Sequence, residues 1–345
     1  YKDGPGVLTL TGASSYSGVT NVYAGAINLG SSAGLGSAAG ETVVSAGAAL
    51  RVFGDITSNE PLFLAGSGLG AGVLRNLSGT NTLGGAIVLT GASRFESEAG
   101  TLTLGGAISS ANHALTLGGS GNLVLGGAVT LGSAGLTKEG LGVATLGTAN
   151  TYAGDTVVNA GALRLADAGA LGTTSSLTVA AGAGLQLAGG ITYAGVAATT
   201  PLLQNISGAN AWSVGLRPTN GGALTLRSDA GVLTLNGPAG SLNARSIDGV
   251  DRALVLTGAG DGSLATDFIN AASLTKSGAG VWTFATAQTY SVETALNGGT
   301  LRAGVANAFS SASTVRLADV AGTALDLNGT IQSVATLEGA GATGG

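Results

Sequence analysis

Short runs of alternating apolar and polar residues dominate this chain. "VLTL" (7–10), "AINL" (26–29), "LTLGG" (102–106), "LVLGG" (123–127) and "LTVAAG" (177–182) typify runs that arrive every eight to a dozen residues. Gly, Asn or Ser closes each one. Alternation such as Leu102-Thr103-Leu104 or Leu185-Gln186-Leu187 places every second side chain on one face, the signature of a half-buried strand. The Gly, Asn and Asp between runs supply the positive φ that tight turns need. No apolar stripe at helical spacing is present, and abundant glycine opposes one. The pattern predicts an all-β protein.

A longer period lies over the short one. "KDGPGVLTLTGASSYSG" begins at Lys2, "KEGLGVATLGTANTYAG" at Lys138 and "KSGAGVWTFATAQTYSV" at Lys276, and lysine occurs nowhere else. The interval from Lys2 to Lys138 nearly equals that from Lys138 to Lys276, and Tyr16, Tyr152 and Tyr290 follow their lysines at one fixed offset. Other phrases recur as well. "AGAALRVFGDI" (46–56) returns as "AGAGLQLAGGI" (181–191) and "AGTALDLNGTI" (321–331), and "RNLSGTNT" (75–82) returns as "QNISGANA" (204–211). We read modules of roughly 137 residues at 2–137 and 138–275, with a partial third at 276–345.

Sandwiches and barrels give no reason for such a module to recur, whereas a solenoid is open-ended and each coil buries the face of its neighbour. The expected fold is therefore a right-handed parallel β-helix (β-solenoid) running continuously through residues 1–345, the hand following from strand twist and crossover preference. Coils of about 20–25 residues, stacked at ~4.8 Å, would number about fifteen and make a rod of ~70 Å. Scarce aromatics, 4% of the chain, suit a narrow interior filled by Leu, Val, Ile and Ala.

The phrase Lys-x-Gly-x-Gly-Val-x-Thr-(Leu/Phe), then Thr-Tyr-x-Gly, then "NAGALRLADAGALG" (159–172) resembles the autotransporter-associated β-strand repeat. That repeat occurs in passenger regions of large secreted bacterial surface proteins. The resemblance implies a β-helical stalk at the cell surface and brings no catalytic residues with it. Val292 stands in the third copy where Gly18 and Gly154 stand in the others, so that turn is expected to differ. No C-terminal membrane barrel accompanies the repeats, so self-secretion is not implied.

Composition narrows the function classes. Only 9% of residues are charged and the net charge is −5, which opposes nucleic-acid binding, since that needs clustered Lys and Arg. There is no cysteine, hence no disulfide and no thiolate metal site. Gly, Ser, Thr or Asn interrupts every apolar run before the roughly 18 residues a spanning helix requires, so no membrane span is expected. Methionine is absent even at position 1, and the sequence reads as a processed or excised segment.

Candidate chemistry is sparse, and no catalytic, cofactor or metal residue is assigned. Glycoside hydrolysis needs two carboxyls about 5–10 Å apart; Glu96/Glu98, Asp248/Asp251 and Asp261/Asp267 are the close pairs. Glu96 and Glu98 would share a strand face, but no other polar group converges on them, and a solvated face is expected. His113, the single histidine, lies in a turn without a Gly-x-Ser-x-Gly elbow, which leaves a nucleophilic triad without support. "GAGDGSL" (258–264) faintly resembles a calcium nonapeptide but is not repeated in tandem. Gly66-x-Gly68-x-Gly70 has no helix to follow it, as a phosphate loop would require. Asn76-Leu-Ser78 and Asn205-Ile-Ser207 match glycosylation acceptors, yet occupy equivalent module positions, where a stacked turn asparagine is the expected role. The Thr-x-Thr pairs at 9/11, 80/82 and 101/103 are too irregular for a repeated binding face.

At the outward position of one recurring strand the residues drift from Arg51 to Gln186 to Asp326, while Leu50/Val52, Leu185/Leu187 and Leu325/Leu327 beside them stay apolar. The core is specified and the surface is not. The reading is a structural shaft in a secreted surface or fibre protein, not an enzyme, with a β-helical carbohydrate-binding or carbohydrate-cleaving protein as the alternative. Its expected partners are further copies or continuing repeats stacked end to end, together with cell-surface or matrix components. Neither end carries an evident polar cap. Lys2, Lys138 and Lys276 are expected at equivalent turns entering a strand, on one face, with their ammonium groups in water. Tyr16, Tyr152 and Tyr290 should lay their rings against the coil with the hydroxyl at its edge.

Overall fold

A computed structural model describes residues 1–339. The chain divides into two compact units, Tyr1–Ser176 and Leu177–Gly345. Among the described residues there is no helix, and each unit is a coil of short strands that pair in parallel with the equivalent strands of neighbouring coils.

The first unit has three ladders. One stacks Thr20–Val22, Thr42–Val44, Leu62–Gly66, the start of Ile87–Ser97, Ile108–Ser110 and Val129–Thr130. A second stacks Val7–Leu10, Ala26–Leu29, Ala49–Val52, Leu74–Asn76, the end of Ile87–Ser97, Leu115–Gly118, Leu136–Lys138 and Thr156–Val158. The third runs from Thr57–Ser58 through Thr80–Leu83, Thr101–Leu104, Asn122–Leu125 and Val143–Leu146 to Ala162–Leu165. The eleven-residue strand Ile87–Ser97 serves two ladders by shifting register between Leu89 and Ser93. In the second unit, ladders of five, eight and seven strands begin at Leu177–Val179, Gly184–Ala188 and Thr192–Tyr193.

Register explains the alternation. Leu102 pairs with Leu123 and Leu123 with Ala144, and all three are buried, while Thr103, Val124 and Thr145 beside them are part-exposed on the other face. Coil length varies with the loops: the turn from Leu185 to Leu203 is short, and the one from Leu224 to Leu254 is much longer. The longer coil carries the loop Arg245–Asp251, which forms the one antiparallel bridge among the described residues.

The interior is less uniformly aliphatic than the composition implied. Few as they are, the aromatics concentrate inside: Phe95 and Tyr152 in the first unit, and Tyr193, Trp212, Phe268, Trp282, Phe284, Tyr290 and Phe309 in the second, are buried. Tyr193 stacks on Trp212 at 4.4 Å and Phe268 on Tyr290 at 4.6 Å. Gly262 makes room for Trp282 in the coil beside it, since a Cβ there would lie 2.4 Å from the indole. The apolar neighbours of Asp326 depart from expectation: Leu327 is 46% exposed, unlike Val52 and Leu187. It belongs to one of the last coils described. At the C-terminal end, where the sequence offers no evident polar cap, residues 340–345 lie outside the described residues.

Candidate functional site

The three lysines occupy matching cradles. Lys138 Nζ donates to the carbonyls of Glu139 (2.6 Å), Gly140 (2.7 Å) and Ala160 (3.2 Å). Lys276 Nζ donates to Ser277 (3.0 Å), Gly278 (2.8 Å) and Gly298 (2.8 Å), and Lys2 Nζ to Asp3 (3.1 Å), Gly4 (2.7 Å) and Ala24 (2.9 Å). In every copy the acceptors are the next residue, the one after it and a distant carbonyl in the following coil. All three donors of the ammonium are used, and two successive turns are tied together.

This corrects the expectation of solvated lysines. Lys138 and Lys276 are 2% and 0% exposed. Each ends a strand, Leu136–Lys138 and Ala271–Lys276, rather than opening one from a turn. Lys138 pairs with Leu117 and Val158, and Lys276 with Leu256 and Leu296, so each aliphatic stem lies in an apolar column while the ammonium reaches the turn. Lys2 pairs with Val22 and is half-buried in the first coil. The expectation of one common face also fails: Lys2 belongs to the Val22–Val44–Leu64 column and Lys138 to the Leu74–Phe95–Leu117 column. The stretch from Lys2 to Lys138 is not a whole number of coils, so Lys138 lies one side further round. Burial pulls the Lys138 and Lys276 ammonium groups down to about 8, opposed by Glu139 and Asp261 respectively.

Each cradle needs a glycine immediately after its distant carbonyl. Gly25, Gly161 and Gly299 have φ of 68°, 65° and 66°, and a Cβ on Gly299 would lie 2.3 Å from Gly278 O and 2.7 Å from Lys276 Nζ. Positive φ and close approach together exclude any side chain.

The tyrosines belong to a second recurring device. Tyr16, Tyr152 and Tyr290 bond through their hydroxyls to Thr20 (2.7 Å), Thr156 (2.9 Å) and Thr294 (2.9 Å). Thr156 continues to Thr174 and Thr294 to Ser313, both at 3.0 Å. Tyr152 and Tyr290 are buried, hydroxyl included, so the hydroxyl is not at the coil's edge; Tyr16, in the first coil described, is 42% exposed. The turn at Val292 does not differ in the respect that matters here: its carbonyl accepts from Ser313 as that of Gly154 accepts from Thr174.

A third device is an asparagine pair that the sequence only half disclosed. Asn76 Nδ2 donates to Ala99 O (2.8 Å), Ser97 Oγ (3.1 Å) and Gly79 O (3.3 Å), and its Oδ1 accepts from Asn81 Nδ2 at 2.5 Å. Asn81 Oδ1 in turn accepts from the Ile56 amide. Asn205 and Asn210 repeat the arrangement with Ala230, Ser228, Gly208 and the Ile191 amide. All four asparagines are buried, and the turn role expected of Asn76 and Asn205 is what they perform.

The acidic pairs do not converge as catalytic carboxyls. Glu96 bonds Arg94 at 2.5 Å, Arg94 also bonds Glu139, and Glu98 pairs with Arg75. Asp248 pairs with Arg252 at 2.6 Å and Asp251 with Arg245 at 2.7 Å, pinning the Arg245–Asp251 loop. Asp261 and Asp267 each accept a backbone amide, of Val281 and Gly240. His113 sits in the turn before Leu115–Gly118, its backbone bonded to Ser110 Oγ. Gly66, Gly68 and Gly70 all have positive φ and lead into the strand Leu74–Asn76. Thr80/Thr82 and Thr101/Thr103 do lie opposite one another on adjacent coils, but Asn122 and Val124 follow in the next. No group of three or more potential metal ligands occurs among the described residues.

The family model of the passenger-associated-transport-repeat matches this chain three times, at residues 1–29, 136–165 and 274–303. These segments hold the lysine, the tyrosine and the cradle glycine of each copy, and the match agrees with the autotransporter-associated repeat that the sequence resembles. No curated protein and no solved structure matches the chain.

Proposed function

We propose that this chain is a structural shaft segment of a secreted bacterial surface or extracellular fibre protein, without catalytic activity. One observation carries the reading. The lysines of the repeated segments tie coil to coil through distant backbone carbonyls, the tyrosines bond into buried hydroxyl pairs that cross from one coil to the next, and among the described residues these side chains present no convergent polar groups to a ligand. A repeat that recurs to hold coils together serves length. Stalk, adhesion and filament roles are all uses of such a shaft, with continuing repeats or further copies as its neighbours.

The carbohydrate-processing alternative loses its best support, because arginines neutralise Glu96, Glu98, Asp248 and Asp251. Immunogold electron microscopy of intact cells, with antibodies to each unit, tests the reading. Label outside the cell envelope for both units is expected; label confined to the cytoplasm would overturn it. Turnover of any polysaccharide by the purified chain would overturn the non-catalytic part.

A further inference from the structure

One buried acid belongs to none of these devices. Glu60 is 4% exposed and sits beside Pro61, whose carbonyl receives the Thr42 amide at 2.9 Å. Its Oε1 accepts from Thr42 Oγ1 at 3.0 Å, and its own amide reaches Ser58 Oγ at 3.4 Å. No Lys or Arg pairs with it among the described residues. The charged group acting on it is Glu41, another acid, which precedes the strand Thr42–Val44 packed against it. The strands Leu62–Gly66 and Thr57–Ser58 on either side, and Gly85 in the coil above, bring no charge of their own.

The comparison with the second module is informative. Thr42 and Glu60 are 18 residues apart, as are Thr156 and Thr174, and Thr42 stands directly opposite Thr20, the equivalent of Thr156. Where the later copies join two hydroxyls, this coil joins a hydroxyl to a carboxyl. A hydroxyl is neutral at every relevant pH. A carboxyl buried without a cation is tolerated in its protonated form and penalised when ionised.

We propose that Glu60 is an acid-side latch: protonated, it closes the coils Thr42–Val44 and Leu62–Gly66 onto one another, and ionised, it loosens them. Burial, reinforced by Glu41 and opposed by the Thr42 hydroxyl, raises its pKa above the ordinary 4.5. The folded chain therefore keeps the proton to higher pH than the unfolded chain. The contribution is complete below pH 4.5 and is lost as pH rises through the folded value.

Native-state hydrogen exchange on the full chain, corrected for intrinsic rates, tests this between pH 4 and 8. The amides of Thr42, Leu62 and Leu64 should lose about tenfold or more of their protection as pH rises, while those of Leu115–Gly118 in the same unit hold theirs. Glu60→Gln should abolish the slope. Glu60→Thr, which installs the hydroxyl found at Thr174, should abolish it too and guards against a glutamine variant that does not fold. A flat wild-type profile, or an unchanged slope in the threonine variant, overturns the proposal.

Discussion

Replacing Lys276 by methionine separates the ammonium from its stem. Methionine keeps the aliphatic body in the Leu256–Lys276–Leu296 column and removes only the three bonds to Ser277, Gly278 and Gly298. Bonds from a charged donor contribute roughly 1.5–3 kcal/mol each, so three give a gross of about 4.5–9 kcal/mol. Withdrawing an ammonium from water costs several kcal/mol, which offsets much of that. Lys276→Met should therefore lose about 2–4 kcal/mol, equivalent to about 30- to 1,000-fold faster opening of the neighbouring coils. Exchange of the Asn297 amide, which donates to Lys276 O, and of the Gly280 amide reads the local change, and the buried Trp282 reports urea unfolding by fluorescence. Lys2→Met, at a half-buried first coil, is the internal control and should lose less. The pH arm has a fixed sign. With the folded ammonium near 8 against an ordinary 10.5, the unfolded chain holds more protons between those values, so wild-type stability rises there. The gap between wild type and Lys276→Met should widen from pH 8 to 10.5. Unchanged or greater stability of the variant at pH 7 would refute the cradle as a stabilising device, and a gap that narrows in alkali would refute the account of its charge.

Gly161→Ala should destabilise the second cradle by more than about 2 kcal/mol in urea unfolding, because it adds φ strain to a Cβ 2.4 Å from Gly142 O; no loss, or the gain of about 0.5–1 kcal/mol that Gly→Ala gives where the backbone is compatible, would contradict this. Tyr152→Phe should lose about 1 kcal/mol through the lost bond to Thr156, and Tyr16→Phe, half-exposed, measurably less. Equal losses would mean that the hydroxyl relay contributes nothing. Asn205→Ala should lower stability by about 2–4 kcal/mol, since it strips Asn210 of its partner inside the coil. Mass spectrometry of the chain folded before exposure to an oligosaccharyltransferase should find Asn76 and Asn205 unmodified, because their amide nitrogens are buried and bonded.

Coil-forming strands were legible because period-two alternation survives at almost every position, and the modules because lysine is so rare. The lysine environment is the point at which two sequence signals conflict. In Leu136-Thr137-Lys138 and Leu274-Thr275-Lys276 the alternation places lysine on the same face as leucine, inward, against the general exposure of lysine, and the structure follows the alternation. Asn81 and Asn210 carried the same hint, standing at one offset from Asn76 and Asn205 in both copies. The rotation of Lys138 onto a different ladder from Lys2 was not legible. It depends on coil lengths set by loops, whose spacing the strand pattern leaves free. Glu60 carries no signal in the sequence, since nothing around it reports that Thr42 closes over it from another coil.

The register of the first unit has a consequence for how such a chain changes length over generations. Around one coil all three ladders advance by the same stride: Thr101 to Asn122, Ile108 to Val129 and Leu115 to Leu136 are equal steps along the sequence. Excising residues 101–121 would join Gly100 to Asn122 and bring Thr80 opposite Asn122, Ile87 opposite Val129 and Ser93 opposite Leu136, with every inward position still inward. Removing one residue from within a strand, rather than from a loop, would turn a leucine face to water. Removal or duplication of a whole turn is therefore a step that leaves strands, loops and inward positions intact, changing the stack by about 4.8 Å at a time.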